Sequence, residues 1–337
     1  MYKFFLSFTC FVLSVVFHST VDAQIYRVVQ MNAEQILSLD KQKTVVLLPG
    51  GILEEHGPHL PSFTDGYSNE WLTEKLAEAI VERPGWAVLV FPIIPLGHAG
   101  GNEIGGKIIF PGTYSIRRST LRNIFIDLAT ELGEQGFRRI FIMHGHGAPY
   151  HNLMLDQAGD YFRDTYNGRM VNLHGLEPTA EQLSKLKLTS PRLKLAELEK
   201  KENGIFDVHA GLDETSRLMF LRPDLVSAAY RTLPPFTANN PGELFKIAKA
   251  PNWLGYIGSP RLASAAYGAR SQQNRSEWTN ALAFAILDSV LDERDIPRYA
   301  NFMLSDKTVV QALEGSSKYD AEVERKQREW MKKKGIE

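Results

Sequence analysis

VVLLPGGILEEHGPHLPSFTD, residues 45–65, decides the fold. Val45-Val46-Leu47-Leu48 is a continuous apolar run, as expected of a strand buried on both faces of a parallel sheet. Pro49-Gly50-Gly51 breaks it. Glu54, Glu55, His56 and His59 follow at once, and Asp65 closes the stretch. An open α/β sheet presents ligand-binding groups just past the carboxyl ends of its strands. Glu54 and His56 stand two apart, so on an extended segment they point the same way. Such a pair can grip one metal ion or hold two neighbouring ones, and Asp65 is far enough on for the chain to turn back with a third ligand. A single E-x-H is also common on solvated loops, so the rest of the chain has to carry the metal reading.

Working outward, the lead-in Ile25–Asp40 holds a short helix over Asn32–Leu39. Apolar residues at helical spacing predict a helix over Tyr67–Arg83, and Ala87–Ile94 reads as a second buried strand. Pro95–Gly112 is glycine-rich, and its His98 and Glu103 are candidate supporting or substrate-contacting groups. A helix is predicted over Ser119–Gly136, then a strand over Arg139–Met143 that runs directly into His144-Gly145-His146-Gly147. This is the second buried strand to release histidines at its C-terminal end. Ala148–Tyr166 reads as a helix and Met170–Leu173 as a fourth strand. Residues 177–203 are rich in Lys and Glu and read as an inserted helical excursion. Ile205–Ser216, IFDVHAGLDETS, brings a third chemical cluster, Asp207, His209, Asp213 and Glu214, with a helix beginning at Glu214. Pro234–Gly258 reads as loop, and Arg261–Leu291 as a long helical region closing the domain. No internal repeat or low-complexity tract interrupts it.

The two ends are separate matters. Lys3, the apolar run Phe4–Phe17 and Val21-Asp22-Ala23 make residues 1–23 a secretory signal peptide cut after Ala23. Its apolar core is shorter than the ~20 residues a membrane span needs. A periplasmic or secreted protein is therefore expected, with no membrane partner once the signal is gone. The single cysteine, Cys10, lies inside that segment, so the remainder must be stable without disulfides. At 44% hydrophobic residues, one large domain over 24–300 is feasible. A net charge of −1 gives no reason to expect nucleic acid as a partner. Residues 301–337 are densely charged and read as a solvated helical tail with a sparse apolar side.

Taken together, GGILEEHGPHLPSFTD, then FPGT at 110–113, HGHG at 144–147 and HAGLDETS at 209–216 resemble the creatininase family in order and spacing, and Gly258–Pro260 matches its closing region. The resemblance covers roughly Val45 to Asp288. It implies a three-layer α/β/α sandwich on a mainly parallel sheet, and two divalent metal ions per chain: zinc, manganese or iron. It further implies Glu54, His56, Asp65, His146 and Glu214 as metal ligands, with Asp65 bridging. His209 is implied as the proton carrier, Glu214 belongs with it in the catalytic set, and the assembly implied is a hexameric homo-oligomer.

Two departures matter. His144 replaces an asparagine usual in the family. Ala148 stands where creatininase itself has a metal-binding glutamate, which leaves the fifth ligand to Glu214 or to His144 and counts against creatinine as substrate. Two close divalent ions acidify water and polarise a carbonyl, and an imidazole can then deliver a proton to a leaving nitrogen. The expected activity is hydrolysis of an amide or cyclic amide C–N bond in a small molecule. One alternative is a hydrolase or lyase of an oxidised cyclic sugar or inositol derivative; another is a metal-binding protein without turnover.

Overall fold

The computed structural model describes residues 24–189, 201–204 and 206–336. The predicted signal segment, residues 1–23, and residues 190–200 of the predicted excursion lie outside the described residues. The chain builds a five-stranded, all-parallel sheet with the strand order β1-β3-β2-β4-β5. The strands are β1 (Gln24–Arg27), β2 (Thr44–Pro49), β3 (Ala87–Val90), β4 (Arg139–Met143) and β5 (Arg169–Asn172), and the short helix α1 (Ala33–Leu37) lies between β1 and β2.

β2 is central and wholly buried. Alternation along it assigns its side chains to two cores. Val45 and Leu47 face one core, built with α2 (Thr64–Val81) and the helix Ala265–Leu287. Val46 and Leu48 face the other, built with α3 (Arg118–Glu134) and α4 (Pro149–Tyr166). Helices therefore cover both faces of the sheet, which is the expected α/β/α sandwich. Each fully buried Leu or Val contributes roughly 1.5–3 kcal/mol through removal of apolar surface from water.

The path of the chain matters more for function. From β2 it moves to β3 on one side, then crosses back to β4 on the other. The loops after β2 and β4 thus face one another across the point where the winding reverses, the crevice where open α/β sheets bind ligands. Two smaller apolar clusters, one around Leu60, Leu218 and Tyr256 and one around Trp253 and Ile257, fold residues 206–258 over this edge. His209 is tied in by Ile257 N–H donating to its carbonyl at 2.8 Å.

Three expectations need correcting. β1 pairs with β3 where only a lead-in was predicted. Pro234–Gly258 contains the helix Pro241–Lys249, started by the Asn240 side chain accepting from Glu243 N–H. Asp65 lies on the first turn of α2, where a carboxylate also complements the positive end of the helix dipole. After Ala265–Leu287 come the helices Tyr299–Ser305, Lys307–Ala312 and Glu314–Lys334. Among the described residues no helix is long and apolar enough to cross a membrane.

Candidate metal centre

β2 ends in Gly50-Gly51, and Gly50 has no room for a side chain. A Cβ there would sit 2.0 Å from the His144 ring, so only glycine lets β2 pass β4's exit at this depth. Beyond it, Glu54 and His56 are almost fully buried, and the first turn of α2 brings Asp65 against them. β4 delivers His146, and residues 207–214 deliver His209 and Glu214.

Their ligand atoms fall into three overlapping groups: Glu54 with His56 and His209, Glu54 with Asp65 and His146, and His56 with Asp65 and Glu214; within each group the atoms lie within 4.8 Å of one another. All five metal-ligand residues predicted from sequence are therefore brought together, and His209 joins them.

The histidines share one design. A carbonyl oxygen can only accept, so it fixes the proton on the ring nitrogen nearest it and leaves the other lone pair free. His56 Nδ1 is 3.1 Å from the Glu54 carbonyl, His146 Nε2 is 2.6 Å from the Ala99 carbonyl, and His209 Nε2 is 2.6 Å from the Glu55 carbonyl. The opposite nitrogens turn inward. His56 Nε2 lies 3.4 Å from Glu54, 3.8 Å from Asp65 and 3.6 Å from Glu214. His146 Nδ1 lies 3.0 Å from Asp65, and His209 Nδ1 3.5 Å from Glu54. His56 Nε2 is buried without a hydrogen-bond partner, an atom awaiting an electrophile. Carboxylates and imidazoles without a thiolate, each with one lone pair aimed at a common centre, fit zinc, manganese or iron.

Electrostatics separate this centre from its surroundings. Burial alone would depress His146, but the Glu54 and Asp65 carboxylates outweigh it and hold it at about 9. His56 and His209 are raised against the same burial, His56 by Asp65 and Glu54, His209 by Glu55 and Glu54. Burial pushes Glu54 up. Asp65 goes the other way: burial would raise it, yet hydrogen bonds from His146 and His56 hold it well below the usual carboxylate range.

His144 is not part of the centre. His98 N–H donates to His151 Nδ1 at 3.2 Å, so His151 Nε2–H donates to His144 Nδ1 at 3.1 Å and His144 Nε2–H donates to the Ile94 carbonyl at 3.0 Å. Both its nitrogens are used, and burial pushes it down to about 4. The geometry thus leaves Glu214, not His144, as the fifth group. Glu214 is held by Ala210 N–H at 2.6 Å and Arg217 at 3.3 Å. His59 also points elsewhere, sharing a 2.9 Å hydrogen bond with Thr215. His98 bonds the Ile116 carbonyl, and Glu103 lies buried beneath the C-terminal helix. Sequence reasoning missed the role of Glu55, whose buried carboxylate lies 3.2 Å from His209 Nε2. Its neighbours in the chain gave no sign that it turns toward a residue 154 positions away.

Known proteins resemble this chain in sequence and in fold. The family model described as creatininase, creatinine amidohydrolase, matches residues 29–282. Creatinine amidohydrolase of Pseudomonas putida is 35% identical over 115 residues, which are 34% of this chain and 41% of that protein, so the chain matches less than half the length of that relative. The mycofactocin precursor peptide peptidase of Mycolicibacterium smegmatis is 28% identical over 67% of this chain and 78% of its own. The 3-dehydro-scyllo-inosose hydrolase of Thermotoga maritima is 22% identical over 70% and 71%. Among solved structures, a manganese creatininase superimposes with a TM-score of 0.53 at 23% identity, covering 78% of this chain and 98% of that one. A mutant creatininase of Zn-Zn type gives 0.54 at 22% identity, covering 78% and 97%.

Proposed function

Since the chain belongs to the creatininase family, we propose that it is a metal-dependent hydrolase of a C–N bond, acting on an amide or cyclic amide in a small molecule. The observation that supports this most is the set of three buried histidines, each with one nitrogen locked on a carbonyl and the other turned into a ring of carboxylates. Glu54, Asp65 and His146 would hold one ion, and His56, Asp65 and Glu214 a second, with Asp65 common to both. Divalent ions held there would polarise a substrate carbonyl and acidify water.

The chain's own residues supply the rest. The Glu55 carbonyl keeps the proton of His209 on Nε2 and leaves Nδ1 facing the centre. His209 Nδ1 takes the proton given up by the attacking water and passes it to the leaving nitrogen. Arg217, paired with Asp213 at 3.0 Å, also steadies Glu214. A second role for His209 has its own support, because Nδ1 groups with Glu54 and His56 as a ligand would. His209→Ala separates the two. Metal retained with turnover down about 10²–10⁴-fold marks a proton carrier; metal lost marks a ligand.

Creatinine is not the proposed substrate. Ala148, where creatininase has a metal-binding glutamate, here begins α4 with an extended backbone and offers no ligand. The relative from Thermotoga maritima favours a second substrate reading, an oxidised cyclic polyol. Turnover of metal-loaded protein over creatinine, other cyclic amides and keto-polyols tests both. Activity on a cyclic amide other than creatinine supports the first reading, whereas creatinine turnover at rates ordinary for an enzyme on its own substrate overturns the exclusion. Export after cleavage at Ala23 and assembly into a homo-oligomer complete the proposal; they rest on the N-terminal composition and on the resemblance.

A further inference from the structure

The part of the chain shared with the family ends at residue 282, and a further fifty or so residues follow. They fold back onto the glycine-rich loop beside the metal centre. Ser316 and Asp320 stand four apart on the helix Glu314–Lys334, so they share one face. Ser316 is buried, and its hydroxyl donates to the carboxylate of buried Glu103. Asp320 accepts from Arg118 twice, from the backbone N–H at 3.1 Å and from Nε at 3.2 Å. Arg118 is the first residue of α3, whose N-cap residue Arg117 makes no side-chain cap. Asp320 therefore satisfies an otherwise orphaned helix N–H from a distant element, with its charge at the positive end of the helix.

These two contacts hold one loop at its middle, Glu103, and at its end, Arg118. The same loop carries three direct supports of the metal centre. The Ala99 carbonyl accepts from His146 Nε2, Gly101 N–H donates to Glu54 Oε2 at 3.1 Å, and Thr113 Oγ1 accepts from Glu55 N–H at 3.0 Å while donating to Asn102 Oδ1 at 2.8 Å. Ala99 holds a left-handed backbone at φ 62°, and a Cβ on Gly101 would sit 2.7 Å from the His209 ring. A loop this tightly set against the ligands must be held from behind. Tyr299, also past residue 282, adds a contact to the other loop through its hydroxyl, which donates to the Gly147 carbonyl at 2.8 Å.

We infer that the appended C-terminal helix is a strut of the metal centre, with Ser316 and Asp320 as positioning residues that act on Glu54 and His146 through loop 97–118. The inference rests on reading that centre as a metal site. Buried partners one step behind metal ligands are worth about 10–100-fold in metal affinity, and the strut should act in that range.

The test uses the full chain and the metal ion itself, with manganese and zinc titrated into chelator-stripped protein. Ser316→Ala combined with Asp320→Ala should weaken binding at least about ten-fold and speed hydrogen exchange at the amides of Gly101 and Glu103. Asp320→Asn, which keeps an acceptor for Arg118 N–H, should recover most of the loss attributable to Asp320. Ending the chain after Glu324 removes the exposed end with Trp330, which is 55% exposed, and should change neither readout; ending it after Leu313 should reproduce the double variant. Wild-type affinity together with wild-type loop exchange in the double variant overturns the inference, even if the shorter truncation fails to fold. Should the intact protein bind no divalent ion, the metal reading falls, and loop exchange alone still decides whether the strut exists.

Discussion

Two groups of buried histidines lie within a few residues of each other and behave in opposite ways. His56, His146 and His209 are raised above the usual imidazole value, with His146 at about 9. His144 and His59 are pushed down to about 4, and His151 is also well below. Burial is common to both groups and depresses all of them. What differs is the second ring nitrogen. In the first group it faces Glu54, Asp65 or Glu214, and His209 has the Glu55 carboxylate beside its other nitrogen as well. In the second it meets another histidine or a hydroxyl. The dipeptide step from His144 to His146 thus crosses from a neutral, hydrogen-bonded backing layer into an anionic centre. Histidine content alone marks a neighbourhood; the carboxylates select which rings belong to the site.

The comparison breaks most completely if the shared carboxylate is removed. Asp65→Ala should take the protein from about two divalent ions per chain to nearly none, and the pKa values of His56 and His146 should fall, because Asp65 raises both. Elemental analysis giving an unchanged metal load in this variant would remove Asp65 from its bridging place.

A smaller effect is expected in the backing layer. His144 has a folded pKa near 4, below the ordinary 6.5. A depressed value means the unfolded chain binds the proton first, so this contribution is present above about pH 6.5 and is lost as pH falls toward 4. It amounts to roughly 3 kcal/mol across that window. His144→Asn should therefore flatten the acid limb of stability while leaving metal load unchanged. Denaturant unfolding at several pH values reads the first, and elemental analysis the second; loss of metal would return His144 to the ligand set.

The sequence made much of this legible where the signal was local. The apolar runs at β2 and β4 and the histidines released after them follow from burial on both sheet faces and from strand direction, and the motifs picked out Glu54, His56, Asp65, His146 and Glu214, which the fold brings together. β1 was not legible, because Gln24-Ile25-Tyr26-Arg27 has no apolar run and earns its place only by pairing with β3 at the sheet edge. The helix Pro241–Lys249 was hidden by a count of Pro, Asn and Gly, although Asn240-Pro241 is itself a helix start. Glu55, Ser316 and Asp320 depend on contacts from 58 to more than 200 residues away. No periodicity or motif reports such a contact.

We propose that the raised histidines form a metal centre held ready by its carboxylates. Imidazoles must be neutral to bind a metal, so an ion entering this site has to displace the protons that the carboxylates retain. Chelator-stripped protein near pH 7 should therefore bind divalent ions with a net release of protons to the buffer, measurable by calorimetry in buffers of different ionisation enthalpy, and Asp65→Ala should abolish both binding and release. Binding without proton release, or no binding at all, would contradict the account.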